Sequence, residues 1–153
     1  MAFAWTIPSE RKMIDLFPSV IYVYTTCDTN NEGRPLLSMS GKDSHSRVFT
    51  FLRAFLPNQQ MWVFRWVFCV LLPKMYGKRL LSKVQVVITD GDSQEFSQLD
   101  NAIKSFFPQV KRVRCGWHIV NRGWNSNIEG PKVFPKSQQY FYDRVRKITQ
   151  SWI

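Results

Sequence analysis

The chain has 153 residues, with 21 Lys and Arg against 11 Asp and Glu, a net charge of +10 and 44% hydrophobic residues. That length suits one domain of the usual ~100–200 residues, and the apolar share supports a real core and excludes a disordered chain. Charge is uneven: residues 1–100 hold 11 basic and 9 acidic side chains and residues 101–153 hold 10 and 2, so a polyanionic partner is expected to meet the C-terminal third.

Cys27, Cys69 and Cys115 are odd in number and far apart, which argues against a secreted disulfide framework and for a reducing compartment. No basic stretch precedes an apolar run at the start, so no secretory signal is expected. The most apolar run, Trp62 to Leu72, is broken by Arg65 and falls short of the ~20 residues of a membrane-spanning helix. It reads as a buried helix, and a membrane partner is not expected.

Residues 1–19 read as an N-terminal lead segment. Val20 to Thr26, dense in β-branched and aromatic residues, predicts a first strand. Asn30-Asn31-Glu32-Gly33 predicts a turn with Gly33 at positive φ, and Arg34 to Gly41 and Arg47 to Phe55 complete an antiparallel meander of three strands. Asn58 is expected to cap a helix from about Gln59 to Tyr76 that stops at Gly77 and packs against the sheet. Val84 to Thr89 suits a buried parallel strand. Asp92 and Glu95 resemble a capping box for the next helix, in which Phe96, Leu99, Ile103 and Phe106 recur at helical spacing up to Pro108. Val110 to Arg114 predicts a fifth strand, Cys115 to Trp124 a helical turn, residues 125–136 a loop and residues 138–153 a basic amphipathic helix. This order is mixed α/β, with a sheet that becomes parallel after its third strand.

Asp90 and Asp92 fall at the carboxyl end of a predicted buried strand, where open α/β sheets place ligands and a carboxylate can hold a divalent metal. On spacing alone, a helix cap at Asp92 and a turn residue at Asp90 explain them as well. Cys115-Gly116-Trp117-His118 has the C-x-x-H spacing of half a zinc site, with no matching second half, so packing is the plainer reading. Arg53, Lys104, Lys111, Arg112, Arg114 and Arg122, with Trp117 and Trp124, form the basic and aromatic mix that tracks phosphates and stacks bases; an ordinary solvated basic face is the alternative.

Five segments taken in order carry a resemblance: Thr29-Asn30-Asn31-Glu32-Gly33-Arg34-Pro35-Leu36-Leu37, Phe55-Leu56-Pro57-Asn58-Gln59, Trp62-Val63-Phe64-Arg65-Trp66, Val87-Ile88-Thr89-Asp90-Gly91-Asp92 and Cys115-Gly116-Trp117-His118. Together they resemble the MULE transposase domain, the catalytic domain of Mutator-like transposable elements, over about residues 20–125. The resemblance implies a ribonuclease H-like fold, three antiparallel strands then parallel strands flanked by helices. It also implies an acidic triad that holds two divalent cations, Mg²⁺ or Mn²⁺, for DNA cleavage and strand transfer. Asp90 matches the second triad carboxylate and hence a metal ligand, while Cys115 and His118 match a C-x-x-H signature that supports the active site, with Asp92 beside Asp90. DNA held by non-specific electrostatic contacts at Lys104, Lys111, Arg112, Arg114 and Arg122 is the implied partner. An oligomer of transposase chains and a nuclear location are compatible with it, and no small-molecule substrate is.

Two departures bear on activity. The family's first catalytic Asp lies in a D-x-T pattern, and here Tyr24-Thr25-Thr26 occupies it; a phenol with a reference pKa near ~10 is a poor magnesium ligand. Asp28, four residues on, is a weak substitute. The third member, a Glu on a later helix, has no match, since only Glu129 and Asp143 follow His118. The family's usual Glu after Pro-Asn is also Gln59 here, a residue to which no catalytic role is assigned. The expectation is a partial and mutated copy of the domain, with 126–153 a loop and a truncated helix. It would lack cleavage and hold no metal now. The competing reading is a non-catalytic, transposon-derived DNA-binding or interaction protein, and a decayed reading frame is a third.

Overall fold

The run of β-branched and aromatic residues that begins at Val20 becomes the middle of a six-stranded sheet. A computed structural model describes residues 2–27, 29–90 and 93–116. In chain order the elements are β1 (Phe3–Trp5), α1 (Pro8–Leu16), β2 (Val20–Thr26), β3 (Leu36–Lys42), β4 (Val48–Phe55), α2 (Met61–Trp66), a π-helical turn (Val67–Leu71), α3 (Leu72–Tyr76), α4 (Lys78–Leu81), β5 (Val86–Thr89), α5 (Ser93–Phe106) and β6 (Lys111–Arg114). The strands lie in the order β1-β4-β3-β2-β5-β6. β2 pairs antiparallel with β3, β3 antiparallel with β4, and β2 parallel with β5. The predicted meander and the switch to parallel pairing are both present, in an arrangement compatible with the ribonuclease H-like fold. Met1–Val113 form one compact unit and Arg114–Ile153 a second.

Local chemistry explains the turns. Gly33 takes φ +62°, and the Asn30 side chain holds the loop by accepting from the Glu32 and Arg34 N–H groups and donating to the Arg34 carbonyl. In the β3–β4 hairpin the Asp43 carboxylate accepts from the backbone of His45 and Arg47 and from the Arg47 guanidinium.

The helix expected over 59–76 is continuous but not uniform. Asn58 does not cap it: its Oδ1 accepts from the Gln60 N–H, Gln60 is the cap residue, and the first helical N–H, of Met61, is satisfied instead by Gln98 Oε1 from α5 at 2.8 Å. Pro73 has no N–H for the carbonyl four residues back and would clash with it. The chain widens into the π turn just before it, with Leu72 N–H bonded to the Val67 carbonyl, and so carries the proline without a break. Gly77, at φ +77°, ends the helix as expected. Val63, Phe64, Val67, Phe68 and Leu72 are buried, yet Trp62 and Val70 stay exposed, so the apolar circumference is only partly covered.

The core joins Ile21 and Val23 of β2, Leu37 and Met39 of β3, Phe51, Leu52 and Ala54 of β4 and Val87 of β5 to the inner faces of α2, α3 and α5. Leu99 and Ile103 of α5 are buried at the spacing expected. Tyr76 closes one end: its ring meets Phe51 edge-on and its hydroxyl donates to the Phe51 carbonyl. Residues 1–19, which composition leaves as a lead segment, contribute to this fold. β1 pairs with Arg53, Ala54 and Phe55 of β4, and α1 buries Ile14 completely. Asp28, Asp92 and everything from Trp117 onward, including the expected helices after Cys115, lie outside the described residues.

Gly41 pairs with Phe49 across the hairpin, and the ring lies over the place a side chain would fill: a methyl group there would sit 2.5 Å from Phe49 Cζ. Phe49 is held in turn by Phe17 and Phe51. Gly41→Ala should therefore cost about 1–3 kcal/mol by overpacking. The same change made in a Phe49→Ala background should cost clearly less, a coupling that thermal or urea unfolding of the four chains measures.

Candidate active site at the carboxyl edge of the sheet

The site is assembled by register. The last parallel pair between β2 and β5 is Val23 with Thr89, so Tyr24 and Asp90 each come next after that pair at the carboxyl ends of the two strands. From Tyr24 the row continues through Ser38 of β3 and Arg53 of β4 to Trp5 of β1. Asp90 is 8% exposed and Tyr24 half-buried. The two positions that the resemblance marks for the first two triad members are thus neighbours, one holding a carboxylate and the other a phenol.

Arg53, on the same row, is already paired. Its two terminal nitrogens meet the two Glu10 carboxylate oxygens of α1 at 2.8 and 2.9 Å, a bidentate pair. Those donated hydrogen bonds hold the Glu10 carboxyl below its ordinary value and raise the Arg53 guanidinium. The pair spans 43 residues of sequence and has no local signal. Arg53 is a structural cation rather than a free phosphate binder.

On the neighbouring position, Thr25 Oγ1 accepts from Gln59 Nε2 at 3.2 Å, which ties the Pro57-Asn58-Gln59 segment to the end of β2. One motif segment is thereby joined to the Tyr24-Thr25-Thr26 stretch. Beside Asp90, Thr89 is 3% exposed and its Oγ1 has no hydrogen-bond partner among the described residues.

The remaining expected site residues separate. Cys115 is half-buried, and it belongs to the second unit together with Arg114. Asp92, His118 and Arg122 lie outside the described residues. Lys104 and Arg112 converge on one carboxylate, Asp100, at 3.6 and 3.1 Å, so part of their charge is spent within the fold. Lys111 stands apart from the Asp90 edge: its N–H donates to the Gln85 carbonyl at 2.9 Å, just before β5 begins. Five strand steps separate Gln85 from Asp90, roughly 16 Å at ~3.3 Å per residue. Among the described residues no three His, Cys, Asp or Glu side chains are grouped to hold a metal ion, and no helix is long and apolar enough to cross a membrane.

The family model of the MULE transposase domain matches residues 20–122, about two-thirds of the chain. No curated protein matches.

The orphaned hydroxyl of Thr89 gives a stability test. Val has the same shape without the unpaired oxygen, so Thr89→Val should stabilise the chain by about 1 kcal/mol, which for this size raises Tm by roughly 2–4 °C in a thermal melt.

Proposed function

The chain is a member of the MULE transposase family, and from that membership we propose that it is a transposase-type domain that engages DNA without cutting it. The observation that supports this reading is the register of β2 and β5, whose last pair, Val23 with Thr89, directly precedes Tyr24 and Asp90. The family's ancestral chemistry depends on divalent cations held by a triad of carboxylates. Two magnesium ions do not fit the donors at this edge. Among the described residues, Asp90 offers one carboxylate and Tyr24 a phenol, a poor ligand for a hard cation.

What the domain retains is charge. A net +10 favours a polyanion, and counterion release from DNA phosphates supplies affinity that does not depend on base sequence. A nuclear location and assembly with other transposase chains belong to the same reading. Catalytic activity is the competing possibility, and it is tested directly.

Supercoiled plasmid incubated with the purified chain and Mg²⁺ or Mn²⁺ should remain supercoiled, and Tyr24→Asp alone should not restore nicking, because a third carboxylate is still missing. Nicking by the wild-type chain that disappears in Asp90→Ala would overturn the reading.

A further inference from the structure

Seven cations of the described fold meet internal partners. Arg53 holds Glu10, Arg47 holds Asp43, Arg34 meets Glu32, and Lys104 and Arg112 share Asp100. Lys42 lies over the Tyr22 ring and Arg11 over the Tyr76 ring. One stretch breaks the pattern. From Ser44 to Thr89 the sequence contains no Asp or Glu and seven Lys or Arg, and four of those seven, Lys74, Lys78, Arg79 and Lys83, fall within ten residues around Gly77. All four are exposed, and among the described residues none of them is in an ion pair.

The corner that displays them is firmly held. Leu72 and Tyr76 anchor α3, Leu80 and Leu81 anchor α4, and Val84 follows, all buried, so the intervening cations point outward from a fixed frame. Gly77 supplies the positive φ that turns the chain between the two short helices. Arg11 of α1 joins the same region through Tyr76, and the acids that α1 brings toward Tyr76 are Glu10, already taken by Arg53, and Asp15. Four like charges within ten residues repel one another, and among the described residues no acid is paired with them. An external polyanion offsets that repulsion.

We propose that Lys74, Lys78, Arg79 and Lys83 form a contact surface for the backbone of duplex DNA. It sits at the sheet edge opposite Asp90, because Lys83 leads directly into the start of β5. Gln85 N–H bonds to the Ser19 carbonyl at 2.8 Å, and Asp90 follows the far end of that strand. Lys83, the member of the surface next to β5, is thus some 16 Å or more along the chain from Asp90, a separation set by strand length. The surface contacts DNA along a flank rather than at the position of the ancestral chemistry. Because it uses phosphates, it carries no base preference.

The proposal rests on the reading of the domain as DNA-binding, and the experiment separates the two. Fluorescence anisotropy with a labelled duplex of arbitrary sequence, titrated across salt, gives the slope of log K against log salt. Each phosphate contact adds about −0.9 to that slope, so removing four should make it shallower by about 3.6 and weaken binding at least tenfold at low salt. The chain with Lys74→Ala, Lys78→Ala, Arg79→Ala and Lys83→Ala should show this loss, with far-UV circular dichroism confirming that it is folded. A chain with Lys74→Arg, Lys78→Arg and Lys83→Arg keeps the charge and should keep the slope. If the alanine chain does not fold, Lys78→Gln with Arg79→Gln replaces it, with a slope change of about 2 expected. Wild-type binding with an unchanged slope in the alanine chain overturns the surface and leaves the DNA-binding reading standing. No wild-type binding at low salt overturns both. Loss of binding to phosphatidylserine vesicles with DNA binding intact overturns it in favour of a membrane partner.

Discussion

The parallel pairing of β2 with β5 is the constraint from which the rest follows. It fixes which residues share the carboxyl edge, because the register Val23 with Thr89 leaves Tyr24 and Asp90 as neighbours whatever else the chain does. It also requires a crossover from β4 to β5, and the helical run α2, π turn and α3 supplies it while covering the core face of the sheet. Parallel strands buried under such a crossover are built from apolar residues. Val87, fully buried, and Thr89, whose hydroxyl has no partner among the described residues, show that the packing requirement dominates up to the end of the strand.

Charge follows a different logic from packing. At the meander end, each carboxylate near a cation is used locally: Glu10 on Arg53 across the sheet, Asp43 on Arg47 within its own turn. These pairs are modest in energy where exposed, and their larger effect is to fix side chains that would otherwise compete for other partners. The row that runs from Trp5 through Arg53, Ser38 and Tyr24 toward Asp90 therefore has its positive member neutralised from outside the row, by α1.

The elements whose signals are local were legible from sequence. The β2, β3 and β4 strands, the turn at Gly33, the stop at Gly77 and the α5 stripe of Leu99 and Ile103 all stand where composition and spacing put them. What sequence could not show is what depends on distant partners. The Glu10–Arg53 pair, the Gln98 cap on α2 and the Gln59–Thr25 bond each join residues more than thirty apart. The π turn escaped because the apolar run through Pro73 reads as one uniform helix, whereas the turn before the proline widens to accommodate it. The basic residues of the last third were grouped by composition. The fold instead gives Lys104 and Arg112 to Asp100 and sends Lys111 to the start of β5, since alternation and register, not proximity in sequence, decide which edge a side chain reaches.

The similarity to the family begins at residue 20, yet the sheet does not. β4 is eight residues long and would be the outermost strand if the preceding nineteen residues were removed. β1 pairs along its last three residues and α1 packs beside the remainder, so between them they shield a row of backbone N–H and C=O groups that would otherwise recruit a foreign strand. A chain begun at the family boundary would keep every residue of the carboxyl edge and still be prone to self-association through that bare strand. The short N-terminal stretch thus acts as a guard on solubility, a role that family resemblance, which looks only at shared positions, is blind to.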